Sequence, residues 1–292
     1  MTRPGHDHLG GSSAGPRRGL LDGPHGGLLD VRDTGPAGGE PVVLLHGFPQ
    51  DRTSWDRVLP PLHAAGLRTL VPDQRGYAAG PRPNGRAAYR LELLAGDVVA
   101  LLDAAGLPRA HVVGHDWGGI VGWALASAHP ERVATLTVAS TPHPRALARS
   151  LVRSPQALRS AYVGLFQLPR LPEALLGPRL EHLLLRSGLP AADAARYAAR
   201  MQEPGALTGA LNWYRALPLS RLRPGPVGVP TTYAWGREDV ALGRRAAELT
   251  ARHVTGPYRF EELAAGHWLP ETRPAELARL IAERIAGGTR GR

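Results

Sequence analysis

Short, mostly apolar runs of four or five residues recur along this chain, separated by stretches whose apolar positions fall three and four apart. Residues 42–45, 67–71, 111–114 and 135–139 form such runs, the pattern of strands buried on both faces of a sheet. Between the first two, Trp55, Val58, Leu59 and Leu62 keep helical spacing and predict one βαβ unit. A helix over about 91–105 then leads through Gly106 and Pro108 to the third run. Residues 28–33 predict a short antiparallel strand ahead of the turn-rich stretch 35–40. These elements define an α/β class with a mostly parallel, doubly wound sheet.

The rhythm changes at Thr141. As far as about Pro230 there is no strand pattern, only short helical segments broken by prolines and glycines, one of them opened by Ser154-Pro155 as cap and first-turn proline. Alternation resumes with residues 231–235, a helix over about 243–253, a strand at 258–263 and a last helix over 274–285 with Leu277, Leu280, Ile281 and Ile285 on one face. The expected organisation is a core of residues 18–141 and 227–292 with a helical cap, residues 142–226, inserted into it. Residues 1–17 have almost nothing to bury and are expected to be a flexible tail, its His6 and His8 solvated rather than metal-binding.

Where the third run ends stands Gly114-His115-Asp116-Trp117-Gly118-Gly119, and Trp123, Leu125 and Ala126 follow at helical spacing. Asp116 is thus placed on a strand-to-helix turn, with small residues two before and two after it, as a tight turn needs to hold one side chain proud of a sheet. The hexapeptide reads as a nucleophile elbow with Asp at its tip, and equally as an ordinary left-handed turn capped by Asp. In the first reading a carboxylate attacks a saturated carbon and becomes an ester.

Composition narrows the classes. The formal charge of +10 would point to nucleic acid, but all 35 basic residues are arginines, scattered along the chain, so neither nucleic acid nor a membrane is an expected partner. With no cysteine there is no disulfide or thiolate metal site. No apolar stretch has the length of a signal peptide core or a membrane span, and a cytoplasmic protein is expected. No motif encodes whether the chain is a monomer or a homo-oligomer.

In an open parallel sheet, ligands bind beyond the carboxyl ends of the strands. Three candidates stand there: Asp116, Asp239 at the end of Trp235-Gly236-Arg237-Glu238-Asp239, and His267 in Gly266-His267-Trp268. Singly, Asp239 also reads as a helix cap and His267 as a loop histidine. Together they follow the order nucleophile, acid, histidine of the α/β-hydrolases. From about Leu28 onward the chain resembles the epoxide hydrolase group of that fold. Its His46-Gly47-Phe48-Pro49 is similar to the family's His-Gly-x-Pro motif, which implies an oxyanion hole of the Phe48 and Trp117 N–H groups and a cis Pro49. Asn212-Trp213-Tyr214-Arg215 is similar to the segment that supplies one ring-opening tyrosine in soluble epoxide hydrolases, and Tyr162 corresponds to the second.

What the resemblance implies is a cofactor-independent, metal-free enzyme whose partners are a small epoxide and water. Opening an epoxide expels an alkoxide, a poor leaving group, and a tyrosine, with an ordinary pKa of ~10, can both hydrogen-bond that oxygen and protonate it. Tyr162 and Tyr214 also share helix faces with leucines, so core packing is a reading that coexists with catalysis. The rival enzymes are haloalkane or haloacid dehalogenases with the same triad. Haloalkane dehalogenases usually carry Asn or Glu in place of Phe48, and fluoroacetate dehalogenases Arg in place of Trp117. A non-catalytic receptor on this fold would carry a broken triad or oxyanion motif. Asp73 and Arg75 are expected to bond each other or nearby backbone, and His115 to point away from the pocket.

Overall fold

Val43 and Leu45 pack into one apolar cluster while Val42 and Leu44 pack into another, so the strand that carries them is buried on both faces. The computed structural model describes residues 17–23, 26–153 and 156–289. His6, His8 and the Ser154-Pro155 helix start lie outside the described residues. Eight strands form one sheet: β1 (Arg17–Gly23), β2 (Gly27–Thr34), β3 (Glu40–Leu45), β4 (Leu67–Asp73), β5 (Ala110–His115), β6 (Val133–Ala139), β7 (Thr231–Gly236) and β8 (Tyr258–Leu263). Their spatial order is β1-β2-β4-β3-β5-β6-β7-β8. The first two run antiparallel and the others parallel.

The helices α1 (Leu59–Ala64), α2 (Leu91–Ala104) and α3 (Trp117–Ala128) lie between the first parallel strands. Seven short helices separate β6 from β7: α4 (Pro144–Arg153), α5 (Gln156–Arg159), α6 (Ala161–Phe166), α7 (Leu171–Leu176), α8 (Leu180–Arg186), α9 (Ala191–Met201) and α10 (Ala206–Ala216). The last three are α11 (Arg244–Thr250), α12 (Leu269–Thr272) and α13 (Pro274–Thr289). Leu59, Leu62, Leu277, Leu280 and Ile281 fill one face of the sheet, whereas α2 and α3 fill the other through Leu94, Val98, Leu101, Val121 and Trp123. The cluster that holds Val43 and Leu45 continues without a break into Tyr197, Met201, Leu207 and Leu211 of α9 and α10.

Two local expectations need correction. Arg17 begins β1, which pairs with β2 as a hairpin, so the expected tail ends one residue too late. That strand reads Arg-Arg-Gly-Leu-Leu-Asp-Gly and lies at the sheet edge, where charge and glycine hide the alternation of a strand. The helix expected through Trp55 and Leu62 is a 3-10 turn, Arg52–Trp55, followed by α1, because Pro60 and Pro61 must sit in a first helical turn. Of the two readings given for Asp73 and Arg75, contact with nearby backbone holds and a bond to each other does not: Arg75 Nη1 donates to the Ala88 carbonyl oxygen at 3.0 Å. Asp73 takes the backbone N–H and guanidinium of Arg52, both at 2.8 Å. Arg75 is fully buried and needs a two-pronged carboxylate, which Asp97 of α2 supplies at 2.5 and 2.8 Å.

Candidate active site

Asp116 joins β5 to α3 with φ 49° and ψ −118°, a backbone conformation that a non-glycine residue adopts only under constraint. The constraint is steric closeness on every side. A Cβ on Gly114 would stand 2.3 Å from the Gly118 carbonyl oxygen, and one on Gly118 would stand 2.1 Å from that of Leu45. A Cβ on Gly47 would stand 2.6 Å from Asp116 Oδ1. The small residues therefore let three segments meet around a single carboxylate.

The Phe48 backbone N–H donates to Asp116 Oδ1 at 2.8 Å. Trp117 is the first residue of α3, the position at which a helix leaves its backbone N–H without an intrahelical acceptor. The other carboxylate oxygen, Oδ2, lies 3.6 Å from His267 Nε2. Behind the ring, His267 Nδ1 is 2.8 Å from Asp239 Oδ2, and Asp239 Oδ1 accepts the Ala241 and Leu242 N–H groups at 2.8 and 2.9 Å. Thus Asp116, His267 and Asp239, each just past a strand, meet in space as expected.

Charge sets the protonation state. Burial pulls the His267 pKa down, but the Asp239 charge and the two carboxylate contacts outweigh it and hold the imidazolium up to about 10. Burial raises Asp116, yet the His267 hydrogen bond and charge win and keep its carboxyl below the usual range. The resting site is a carboxylate beside an imidazolium. His46 is neutral, burial pushing it down to about 4. Its Nε2 accepts the Gln74 N–H at 3.1 Å, so Nδ1 carries the proton and donates to the Gly47 carbonyl at 3.0 Å. This fixes the His46-Gly47-Phe48-Pro49 loop, whose Phe48–Pro49 bond is cis.

Aromatic rings from α6 and α10 face this carboxylate. Tyr214 stands edge-on to Phe48 at 5.6 Å, to Trp117 at 4.8 Å and to Phe166 at 5.0 Å between ring centroids. Burial first, then Tyr162 and Asp116, push its pKa well above the ordinary tyrosine value. Tyr162 lies 6.1 Å from Tyr214, ring to ring, and is 40% exposed where Tyr214 is 5% exposed. Both hydroxyls stay protonated at neutral pH, since burial also raises Tyr162.

His115 does point away from the pocket: it is fully buried, with Nδ1 2.8 Å from Gln50 Oε1 and Nε2 2.9 Å from the His267 carbonyl oxygen. Gln50, and the buried Glu271 and Tyr197 that continue the chain of hydrogen bonds beyond it, carried no assignment in the sequence. The available signal was proximity: Gln50 directly follows His46-Gly47-Phe48-Pro49, and Glu271 stands one helical turn past His267. No cluster of three or more potential metal ligands occurs among the described residues. Among these residues, no helix is long and apolar enough to cross a membrane.

Comparison with known proteins identifies the fold and the family. The profile of the alpha/beta hydrolase fold family matches residues 40–274. An AB hydrolase superfamily protein of Bacillus subtilis is 38% identical over 270 residues, covering 89% of this chain and 94% of its own. Epoxide hydrolase A of Mycobacterium tuberculosis is 32% identical, covering 90% and 95%. The crystal structure of epoxide hydrolase A from Mycobacterium thermoresistibile superposes with a TM-score of 0.81 at 28% identity, covering 94% of this chain and 99% of that one.

Proposed function

The chain belongs to the α/β hydrolase fold family, in its epoxide hydrolase branch, and from that premise we propose that it converts an epoxide to a vicinal diol through a covalent ester on Asp116. The observation that carries this reading is the unequal treatment of the two Asp116 oxygens. Oδ1 accepts the Phe48 N–H, while Oδ2 faces His267.

In the first half-reaction Oδ2 attacks an epoxide carbon, that carbon's bond to the ring oxygen breaks, and Tyr214 with Tyr162 donates a proton to the departing oxygen. Oδ1 is then the ester carbonyl oxygen, already lying in the oxyanion hole. Esterification also removes one of the two anions that keep His267 protonated. The imidazolium gives its proton back towards the tyrosinate, and His267, held by Asp239, becomes a base at the step that needs one. Water loses a proton to it and attacks the carbonyl carbon, the Phe48 and Trp117 N–H groups stabilise the negative Oδ1, and the bond between that carbon and Oδ2 breaks as the imidazolium protonates the departing oxygen. The new Asp116 carboxyl then returns a proton to His267 and restores the resting ion pair. The diol leaves with Oδ2. Helices α4–α10, residues 142–226, serve as the cap that supplies the tyrosines and closes the pocket. No metal or cofactor enters this scheme.

A dehalogenase would need its donors pointed at a halide. Here the Tyr214 ring packs edge-on against both Phe48 and Trp117, with Tyr162 beside it, an arrangement that favours delivery of a proton to an oxygen. The test is His267→Gln incubated with styrene oxide. The Asp116 peptide is expected to gain the mass of the substrate, because alkylation proceeds without a base and hydrolysis does not. A folded mutant that consumes a stoichiometric amount of epoxide without an adduct would refute the covalent route.

A further inference from the structure

Beneath the reacting carboxylate runs a chain of buried polar groups that the two half-reactions do not use. Tyr197 of α9 donates its hydroxyl to Glu271 Oε1 at 2.8 Å, and Gln50 Nε2 donates to the same oxygen at 2.6 Å. Gln50 Oε1 in turn accepts the Gly47 N–H at 2.9 Å and lies 2.8 Å from His115 Nδ1. His115 Nε2 reaches the His267 carbonyl oxygen, which also accepts the Ser140 hydroxyl at 2.6 Å. Tyr197, Gln50, His115 and Ser140 are fully buried, and Glu271 is 5% exposed.

A carboxyl group is a costly way to fill such a space. Glu271 Oε2 is buried with no hydrogen-bond partner among the described residues, a loss that an apolar side chain of the same size would avoid. Burial pushes the group up to about 7 against the hydrogen bonds from Gln50 and Tyr197. Oε1 shows what the carboxyl secures: it anchors the amide whose other end fixes both the oxyanion loop, through Gly47, and the ring below the base. Phe48, the donor to Asp116, is the next residue after Gly47.

We propose that Glu271 is a positioning residue: through Gln50 it sets the Phe48 N–H against Asp116 and steadies His115 under His267, and through Tyr197 it ties that floor to the helices above. Glu271 touches none of the reacting atoms. The inference rests on the covalent reading above, because its effect falls on one half-reaction. During alkylation Phe48 faces an oxygen that is already negative, whereas during ester hydrolysis the charge develops on that oxygen, so a loosened donor slows mainly the second step.

The experiment uses the full chain with styrene oxide, measuring kcat, KM and the fraction of Asp116 peptide carrying substrate mass at steady state. Removing an oxyanion donor costs about 10²–10³-fold, so displacing one by Glu271→Leu should lower kcat by about tenfold. KM should fall in parallel and the ester fraction should rise. Glu271→Gln keeps an oxygen for both donors and should restore wild-type kcat, KM and ester fraction. Should Glu271→Leu fail to fold, Tyr197→Phe removes one of the two donors and should raise the ester fraction by a smaller factor. A folded Glu271→Leu, or failing that Tyr197→Phe, with unchanged KM and ester fraction would overturn the inference. The His267→Gln protein is run alongside: ester there but no change in these variants sinks the positioning role alone, whereas no ester there sinks the covalent reading itself.

Discussion

Tyr214 is buried against Phe48, Trp117 and Phe166 and still keeps its hydroxyl beside the Asp116 carboxylate's field. If that hydroxyl is the general acid, Tyr214→Phe should slow epoxide opening by up to ~10²–10⁴-fold, less where Tyr162 compensates. The double change Tyr162→Phe with Tyr214→Phe should nearly abolish diol formation while circular dichroism stays native. Wild-type turnover in the double mutant would remove the tyrosines from the mechanism. Glu271 gives a second test at this scale. Its folded pKa of about 7 exceeds the ordinary 4.5, so its contribution to stability is complete below pH 4.5 and is lost as pH rises through 7. The total is roughly 3 kcal/mol as an order of magnitude. Urea midpoints compared between pH 4.5 and 8 should show this loss in the wild type and not in Glu271→Gln. Parallel pH profiles would show that Glu271 titrates normally.

The residues legible in the sequence were those that stand directly after a strand. Asp116, Asp239 and His267 could be placed because strand ends in a parallel sheet converge. Gln50 and Glu271 could not be paired, because 221 residues separate them and only the fold closes that gap. Tyr214 and Tyr162 came from a resemblance, since helical spacing alone reads both as core residues.

At the scale of elements, the turn between β5 and α3 depends on how near the chain passes to itself. Gly118→Ala would force a Cβ to 2.1 Å from the Leu45 carbonyl oxygen, a backbone atom that cannot step aside. Overpacking of this kind costs about 1–3 kcal/mol or more, and the urea midpoint should fall accordingly. Gly122, one turn further along α3, is the control. An added Cβ there meets only Leu136 Cδ1 at 3.1 Å and Val112 Cγ1 at 3.7 Å, and alanine gains about 1 kcal/mol of helix propensity over glycine. Gly122→Ala should therefore be close to neutral, and equal losses in the two mutants would deny the turn its special tightness. The central parallel strands were legible because burial on both faces writes a mostly apolar run, unbroken in residues 42–45. The edge strand β1 was not, since two arginines, an aspartate and two glycines leave only Leu20 and Leu21 as apolar positions. The break before α1 follows from Pro60 and Pro61, whose effect on helix position is stronger than the spacing of Trp55 and Leu62.

Across the whole molecule the arginine excess has a structural use. Arg75 pairs with Asp97 in the core, Arg68 with Asp33 on the sheet, and Arg57 with Asp193, which joins the β3–α1 segment to α9. The same α9 carries Tyr197 to Glu271 and Arg200 to the Tyr77 carbonyl oxygen. The helices above the site are thereby held by polar contacts to the loops that carry Phe48 and His267. The covalent account makes one demand on the chemistry: with Oδ1 held by Phe48 and Oδ2 left to attack, the oxygen added to the epoxide should come from Asp116 and not directly from water.

A single turnover in ¹⁸O-water with the enzyme in excess measures this, by mass analysis of both the diol and the peptide containing Asp116. The covalent account predicts largely unlabelled diol and heavy oxygen in the Asp116 carboxylate. Fully labelled diol beside an unlabelled peptide would mean that a His267-activated water attacks the epoxide directly, and would contradict the role given to Asp116.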